Sequence, residues 1–205
     1  MSDYQDYNWE NESFTQAHAY FMPPIIKMLP ADGSPILDVG CGNGSFANFL
    51  ISKGFNVYGT DASVTGIELA NRRNPGHFFT QDLSEDTLPV ELKEIKFQTI
   101  ISTEVVEHLY DPRKYIRFCK AILEESGGNL IVSTPYHGYF KNLTLSIFGA
   151  WDKHLTALWD GGHIKFWSYK TLSALLTEAG FEIVSFKGCG RIPLIWKSMI
   201  INSKI

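Results

Sequence analysis

The sequence is short of several things, and each shortage removes a class of function. No apolar run approaches the roughly 18 residues that a membrane span needs. The most apolar late stretch, "IPLIWKSMII", is brief and interrupted by Lys197. The opening "MSDYQDYNWENES" is acidic and polar, which is wrong for a signal or transit peptide. Cysteine is scarce: Cys41, Cys119 and Cys189 lie far apart and form neither a disulfide framework nor a zinc cluster, which points to a reducing compartment. Excess positive charge is missing too. Eighteen Lys and Arg face 22 Asp and Glu, the net charge is −4, and no basic run occurs. A nucleic-acid partner is therefore not expected. No internal repeat or low-complexity tract is present. The expected location is the cytoplasm, with peripheral membrane contact left open.

What is present suits one domain over residues 1–205, since 205 residues with 44% hydrophobic content can enclose a full core but not two. Short apolar runs alternate with helical patterns, so the expected class is α/β with a mostly parallel sheet. The strands are predicted at Ile36–Val39, Asn56–Gly59, Phe78–Thr80, Thr99–Ser102, Asn129–Ser133, Glu182–Phe186 and Ser198–Ser203. Helices are predicted near 44–53, 63–73, 112–125 and 169–179, the last capped by Ser168 and closed by Gly180. An N-terminal helix is expected over about 11–22, stopped by Pro23–Pro24. Residues 136–167 break the rhythm with many aromatics and with His137, His154 and His163. A connection that long is usually functional. It reads as a cap over the active site, or else as a flap covering core or joining two copies.

The stretch "ILDVGCGNGSF" puts a strand, a glycine loop and a helix start in sequence. In open α/β sheets that junction is where ligands bind. Asp61 ends the next strand, where its carboxylate can accept both ribose hydroxyls of an adenosine. Asp38 stands two residues before the first glycine, a position that opposes a pyrophosphate and suits a cation. A sulfonium cofactor, S-adenosyl-L-methionine (SAM), fits that charge. Asp82 in "QDL" can accept from the adenine amino group or serve as a helix cap before "SEDTL".

With "ILDVGCGNG", "GTDAS", "TQDL", "GGNLIVSTP" and "LLTEAGF" in order, the chain resembles the class I SAM-dependent methyltransferases from about residue 15 onward. The resemblance implies a Rossmann-like three-layer sandwich whose seven-stranded sheet has its last strand, "SMIINS", antiparallel. It also implies a cofactor loop of Gly40, Gly42 and Gly44 with Cys41 between them. Asp61 and its neighbour Ala62 would take the ribose, Asp82 and Leu83 the adenine, and Thr103 or Glu104 would flank the methionine end.

After the fourth strand comes "STEVVEHLYDP". If a helical turn starts at Glu104, then Glu104, Glu107 and His108 share one face. Two carboxylates and an imidazole suit a hard cation such as Mg²⁺, with His163 as a fourth ligand from the cap. "EVVEH", "SIFGAWDKH" and "GGHIKF" are similar to the O-methyltransferases of ubiquinone biosynthesis, where the matching Glu, Glu and His positions imply a metal that assists methylation of a catechol-like ring. The small-RNA ribose 2′-O-methyltransferases carry a like set. Without metal, His108 or His163 would act as general base, or Glu107 and His108 would be structural. The expected reaction is O-methylation of a small molecule: a quinol or catechol ring, or a sugar or natural product. Tyr139, Trp151 and Trp159 would flank the acceptor. "YFKNLTLSIFGA" is apolar enough to touch a lipid surface, as a prenylated acceptor would require, or to be a buried helix. RNA ribose methylation and a non-catalytic SAM-binding subunit are the alternatives; the acidic charge counts against the first, the intact Glu and His set against the second.

Overall fold

Ile36–Val39 (β1) is buried along its whole length, as a strand covered on both faces must be. Around it the computed structural model, which describes residues 9–14, 17–155, 158–159 and 161–205, builds a seven-stranded sheet in the order β3-β2-β1-β4-β5-β7-β6. The other strands are β2 (Val57–Asp61), β3 (Phe78–Thr80), β4 (Thr99–Thr103), β5 (Asn129–Pro135), β6 (Glu182–Cys189) and β7 (Ser198–Lys204). The pairs β1–β2, β1–β4, β2–β3 and β4–β5 are parallel, and β7 is antiparallel to both neighbours. The expected sheet is thus the observed one, with β2 reaching as far as Asp61.

The helices are α1 (His18–Ile26), α2 (Ser45–Ser52), α3 (Val64–Arg73), α4 (Pro112–Leu123), α5 (Tyr139–Ile147), α6 (Trp151–Leu155) and α7 (Tyr169–Glu178). Among the described residues, three of the helix starts, those of α3, α4 and α7, carry a side-chain cap. Ser63 accepts from the Gly66 amide at 3.0 Å, Asp111 from Lys114 at 2.9 Å and Ser168 from Thr171 at 3.3 Å, each filling an orphaned helix donor. Two clusters of buried side chains sandwich the sheet. One centres on Leu37, Ile100, Ile116, Leu130 and Leu176, the other on Ile36, Leu50, Val57, Ile101 and Ile200.

One expectation is corrected. The N-terminal helix does not cover 11–22: residues 11–14 are non-helical, 15 and 16 lie outside the described residues, and α1 runs through Pro23 and Pro24 to Ile26. Each proline removes one helical hydrogen bond. Phe21, Met22 and Ile25 are buried against the sheet on the same helix, and that burial holds the two turns together.

The segment 136–167 leaves the sheet after β5 and holds α5 and α6. Its ends are tied where Tyr136 pairs with Trp167 and where the His137 amide donates to the Trp167 carbonyl at 2.8 Å. Lys141 and Leu145 of α5 are buried, while Tyr139, Phe140, Leu143, Ile147 and Phe148 are exposed.

Candidate active site

The loop after β1 hangs on β2. The amides of Gly40 and Cys41 donate to the Thr60 carbonyl at 2.8 and 3.0 Å. Gly42 N–H donates to Asp61 Oδ2 at 2.7 Å, and Ser63 N–H to Oδ1 at 2.8 Å. Gly40 and Gly44 are left-handed, with φ of 78° and 68°. A Cβ on Gly40 would lie 2.4 Å from Val105 Cγ2, and one on Gly44 2.4 Å from Ala70 Cβ. Backbone conformation and packing therefore both demand glycine. A Cβ on Gly42 would meet the Trp9 ring at 2.9 Å. The segment 9–14 lies along this loop: Asn43 Nδ2 donates to the carbonyls of Asn11 and Ser13 at 2.9 and 3.2 Å, and Glu12 pairs with Arg73 at 2.6 Å. Nothing in the sequence pattern singles out Trp9 or Asn43 for this job.

Asp38, just before the loop, is 1% exposed, and its Oδ1 has no hydrogen-bond partner among the described residues. Burial, and then the charge of Asp61, push its carboxyl up to about 8. An orphaned buried carboxyl beside a glycine cradle is what a cationic nucleoside such as SAM requires, so the residues present fit that cofactor. Asp61 accepts from the Gly42 and Ser63 amides, which fixes its carboxylate at the end of β2 beside the loop. Asp82 Oδ1 accepts from Ser84 N–H at 2.8 Å and closes a turn; no helix follows it. Cys41, Ala62, Leu83 and Thr103 are half-buried along the same rim, and the Cys41 thiol is pushed up by burial, then by Asp61 and Asp38.

The carboxylates after β4 do not share a helical face. Glu104 is left-handed at φ 57°, and the turn that follows is a 3-10 turn, Val106–His108. Glu104 is held in that conformation by hydroxyls from two strands: Ser133 Oγ donates to Oε1 at 2.8 Å and Ser198 Oγ to Oε2 at 3.2 Å. Burial pushes its carboxyl up to about 7, against the lowering pull of those hydroxyls. Glu107 turns the other way, and Thr134 Oγ1 donates to its Oε2 at 2.9 Å. Glu107, His108 and His163 then converge, with one ligand atom of each within 4.8 Å of the others; Glu104 stands outside that group.

The chemistry of this trio suits a metal ion. Glu107 Oε1 is buried with no hydrogen-bond partner among the described residues. His108 Nδ1 sits 2.8 Å from the Gly161 carbonyl, which can only accept, so Nδ1 carries the proton and Nε2 would be the nitrogen to ligate a bound metal. Burial lowers the pKa of both imidazoles. His163 falls to about 4, with His108 the second cause. Both rings are therefore neutral at pH 7, as metal ligation requires. Burial and then Glu104 raise the Glu107 carboxyl above its ordinary value.

Trp159 packs edge-on against both rings, with centroids 6.1 Å from His108 and 6.1 Å from His163. Trp151 is one layer away: it hydrogen-bonds Ser146 and touches His154, not the trio. Tyr139 is 74% exposed and contacts Phe140. Of the expected acceptor aromatics, only Trp159 is brought to the cluster.

Comparison with known proteins completes the description. Residues 14–186 match the family model described as a methyltransferase domain. The chain is 28% identical over 187 residues to the ubiquinone biosynthesis O-methyltransferase of Cereibacter sphaeroides (strain ATCC 17029), covering 88% of this chain and 73% of that one. It is 33% identical over 175 residues to the enzyme of that name from Ruegeria sp. (strain TM1040), covering 82% and 68%. The fold is shared with an S-adenosylmethionine-dependent methyltransferase from Mesorhizobium loti, at a TM-score of 0.67 and 18% identity over 89% of this chain and 96% of that one.

Proposed function

This chain belongs to the S-adenosylmethionine-dependent methyltransferases, and on that premise we propose that it methylates a hydroxyl of a small molecule, a quinol or catechol ring or a sugar-like natural product. The observation that carries this reading is the convergence of one ligand atom each from Glu107, His108 and His163 within 4.8 Å of one another, just after β4. The relatives named above are O-methyltransferases of ubiquinone biosynthesis, which favours the ring hydroxyl.

SAM supplies the electrophilic methyl on a sulfonium. The loop Gly40–Gly44, with Asp38 and Asp61, fixes where that cation lies; alignment of nucleophile and methyl accounts for about 7–11 kcal/mol of barrier lowering in such reactions. Mg²⁺ held by Glu107, His108 and His163 would supply Lewis acidity toward the acceptor oxygen. His108, His163 and Glu104 are the candidate bases. A base works best when its pKa lies near the working pH; His163 at about 4 is too weak, and Glu104 at about 7 is matched. Glu104, whose carboxylate is held by Ser133 and Ser198, is the group we infer to take the hydroxyl proton. Trp159 packs edge-on against both imidazoles.

The exposed apolar side chains of α5 and its end, Tyr139, Phe140, Leu143, Ile147 and Phe148, support contact with a membrane surface or with a prenyl tail on the acceptor. Among the described residues no helix is long and apolar enough to cross a membrane.

The test is methyl transfer from SAM to a catechol, followed by product mass, with EDTA treatment and Mg²⁺ add-back. Loss with EDTA and recovery with Mg²⁺ is expected. Transfer untouched by EDTA in both the native chain and His163→Ala rejects the metal assignment; no transfer to any hydroxylated ring rejects the substrate class.

A further inference from the structure

No side chain of the segment 9–14 is buried, yet the segment is fastened along the glycine loop at several points. Asn43, inside the loop, is 3% exposed and makes the central fastening. Its Nδ2 donates to the carbonyls of Asn11 at 2.9 Å and Ser13 at 3.2 Å, while its Oδ1 accepts from Ser45 N–H at 3.1 Å. Asn43 thus binds the segment through its amide nitrogen and the entrance of α2 through its oxygen. Glu12 adds an ion pair to Arg73, at the end of α3, at 2.6 Å. Trp9 N–H donates to Thr65 Oγ1 at 3.2 Å, and the Trp9 ring closes on two glycines. A Cβ on Gly42 would lie 2.9 Å from that ring and one on Gly66 3.0 Å. Gly66 lies inside α3 with no left-handed φ to call for it, where glycine is a poor helix former. The close approach of Trp9 and of the Gly42 carbonyl, 2.6 Å from such a Cβ, is what excludes a side chain there.

These contacts bear on Asp61 from both sides. Its carboxylate takes the Gly42 and Ser63 amides. Trp9 packs on the first of those residues. The second is joined to Trp9 through hydroxyls: Ser63 Oγ lies 3.1 Å from Thr65 Oγ1, the atom that accepts the Trp9 amide. Lifting the segment would uncover Gly42 and withdraw a donor from the Thr65–Ser63 pair, so both donors that aim Asp61 depend on it. The segment itself opens readily. It is held by hydrogen bonds, aromatic contacts and an ion pair rather than by core burial, and such segments open locally at low free energy.

We propose that Asn43 latches the segment 9–14 onto the cofactor loop, so that the segment is a strap whose opening sets the rate at which spent cofactor leaves. The inference rests on the cofactor seat proposed at this loop and is independent of the acceptor. Strap closure and cofactor retention are linked reciprocally: whatever factor the cofactor adds to closure, closure adds to cofactor affinity. Release of product limits turnover in many enzymes, so a latch here acts on the cycle without touching the reacting methyl.

The experiment is stopped-flow dissociation of S-adenosylhomocysteine from the full chain, in the native protein, Asn43→Asp and Trp9→Ala. Asn43→Asp keeps an oxygen to accept from Ser45 and replaces the nitrogen that holds the strap by an oxygen facing two carbonyls. Dissociation is expected to be at least about tenfold faster in both variants, the order that two lost hydrogen bonds would give. Melting of the cofactor-free chains shows that each variant is folded. In parallel, cleavage by a protease that cuts after glutamate is read by mass at Glu10 and Glu12. Saturating S-adenosylhomocysteine should slow it about tenfold in the native chain, because cleavage follows the open population, and should leave it unchanged in Asn43→Asp. Unchanged dissociation in both folded variants overturns the proposal, as does native cleavage at Glu10 and Glu12 that ignores the ligand. Faster release in only one variant overturns it as well, since a latch and the strap it holds must fail together. No binding to the native chain removes the cofactor seat and this inference with it, whereas binding with unchanged release removes this inference alone.

Discussion

Replacing Asp38 by Asn is expected to uncouple cofactor affinity from pH. Asp38 is 1% exposed, and its carboxyl is raised from 3.8 to about 8, first by burial and then by Asp61. The folded protein without cofactor therefore holds a proton there at pH 7. A bound α-ammonium favours the carboxylate, so binding must release that proton. For a group of pKa 8 that is ionised in the complex, the binding constant scales with the ionised fraction. That fraction is about one part in 100 at pH 6 and about one in 11 at pH 7, so affinity rises about ninefold over the unit, and about 0.9 proton leaves at pH 7. The free α-ammonium of the ligand stays charged across this window, so the slope belongs to the protein.

The sign for stability is opposite to that of an ordinary salt-bridged carboxylate. Below about pH 4 both folded and unfolded chains hold the proton. Between about 4 and 8 only the folded chain does, so stability falls as pH rises, by about 1.4 kcal/mol per unit and about 6 kcal/mol in total, then levels off. Asp38→Asn removes this component. The assay is calorimetry with S-adenosylhomocysteine at pH 6 and 7, in buffers of differing ionisation enthalpy. A flat affinity in the native chain, or an unchanged slope and proton release in Asp38→Asn, would refute the reasoning.

Three further outcomes are expected. Gly44→Ala should lower stability by about 2–5 kcal/mol in urea unfolding, since it combines a left-handed backbone cost with overpacking against Ala70; Gly33→Ala, at a similar φ of 78° with nothing within 4 Å of its Cβ, should show the backbone part alone, and equal losses would contradict the packing argument. Glu104→Gln should reduce kcat about 10²–10⁴-fold and erase a rising pH–rate limb near pH 7, whereas a retained limb would place the base elsewhere. Mn²⁺ binding followed by electron paramagnetic resonance should weaken at least about tenfold in His163→Ala and fall as protons return to Glu107 at lower pH; unchanged binding would remove His163 from the ligand set.

The placement of the proposed cofactor residues was legible because they are local. Asp38, the glycines and Asp61 sit at the ends of two adjacent strands, and strand period plus glycine spacing suffices to bring them together. The acceptor half depends on long-range placement. Glu104 is aimed by Ser133 and Ser198, partners far off in the chain that no local pattern couples to it. Its left-handed φ, unusual for a residue other than glycine, ends the helical phase that would have aligned it with Glu107. The proline pair misled for a related reason: local propensity stops a helix there, yet Phe21, Met22 and Ile25 gain enough from burial to carry it on.

The most direct test of the central claim, a sulfonium-cofactor seat built on Asp38, the glycine loop and Asp61, is the melting temperature of the chain with S-adenosylhomocysteine. At about 100 times its dissociation constant a ligand stabilises by about 2.7 kcal/mol, which for a chain of this size raises Tm by about 5–10 °C. That rise is expected for the native protein and should vanish in Asp61→Ala, with NAD giving none in either. No rise with S-adenosylhomocysteine, or a comparable rise with NAD, would contradict the account.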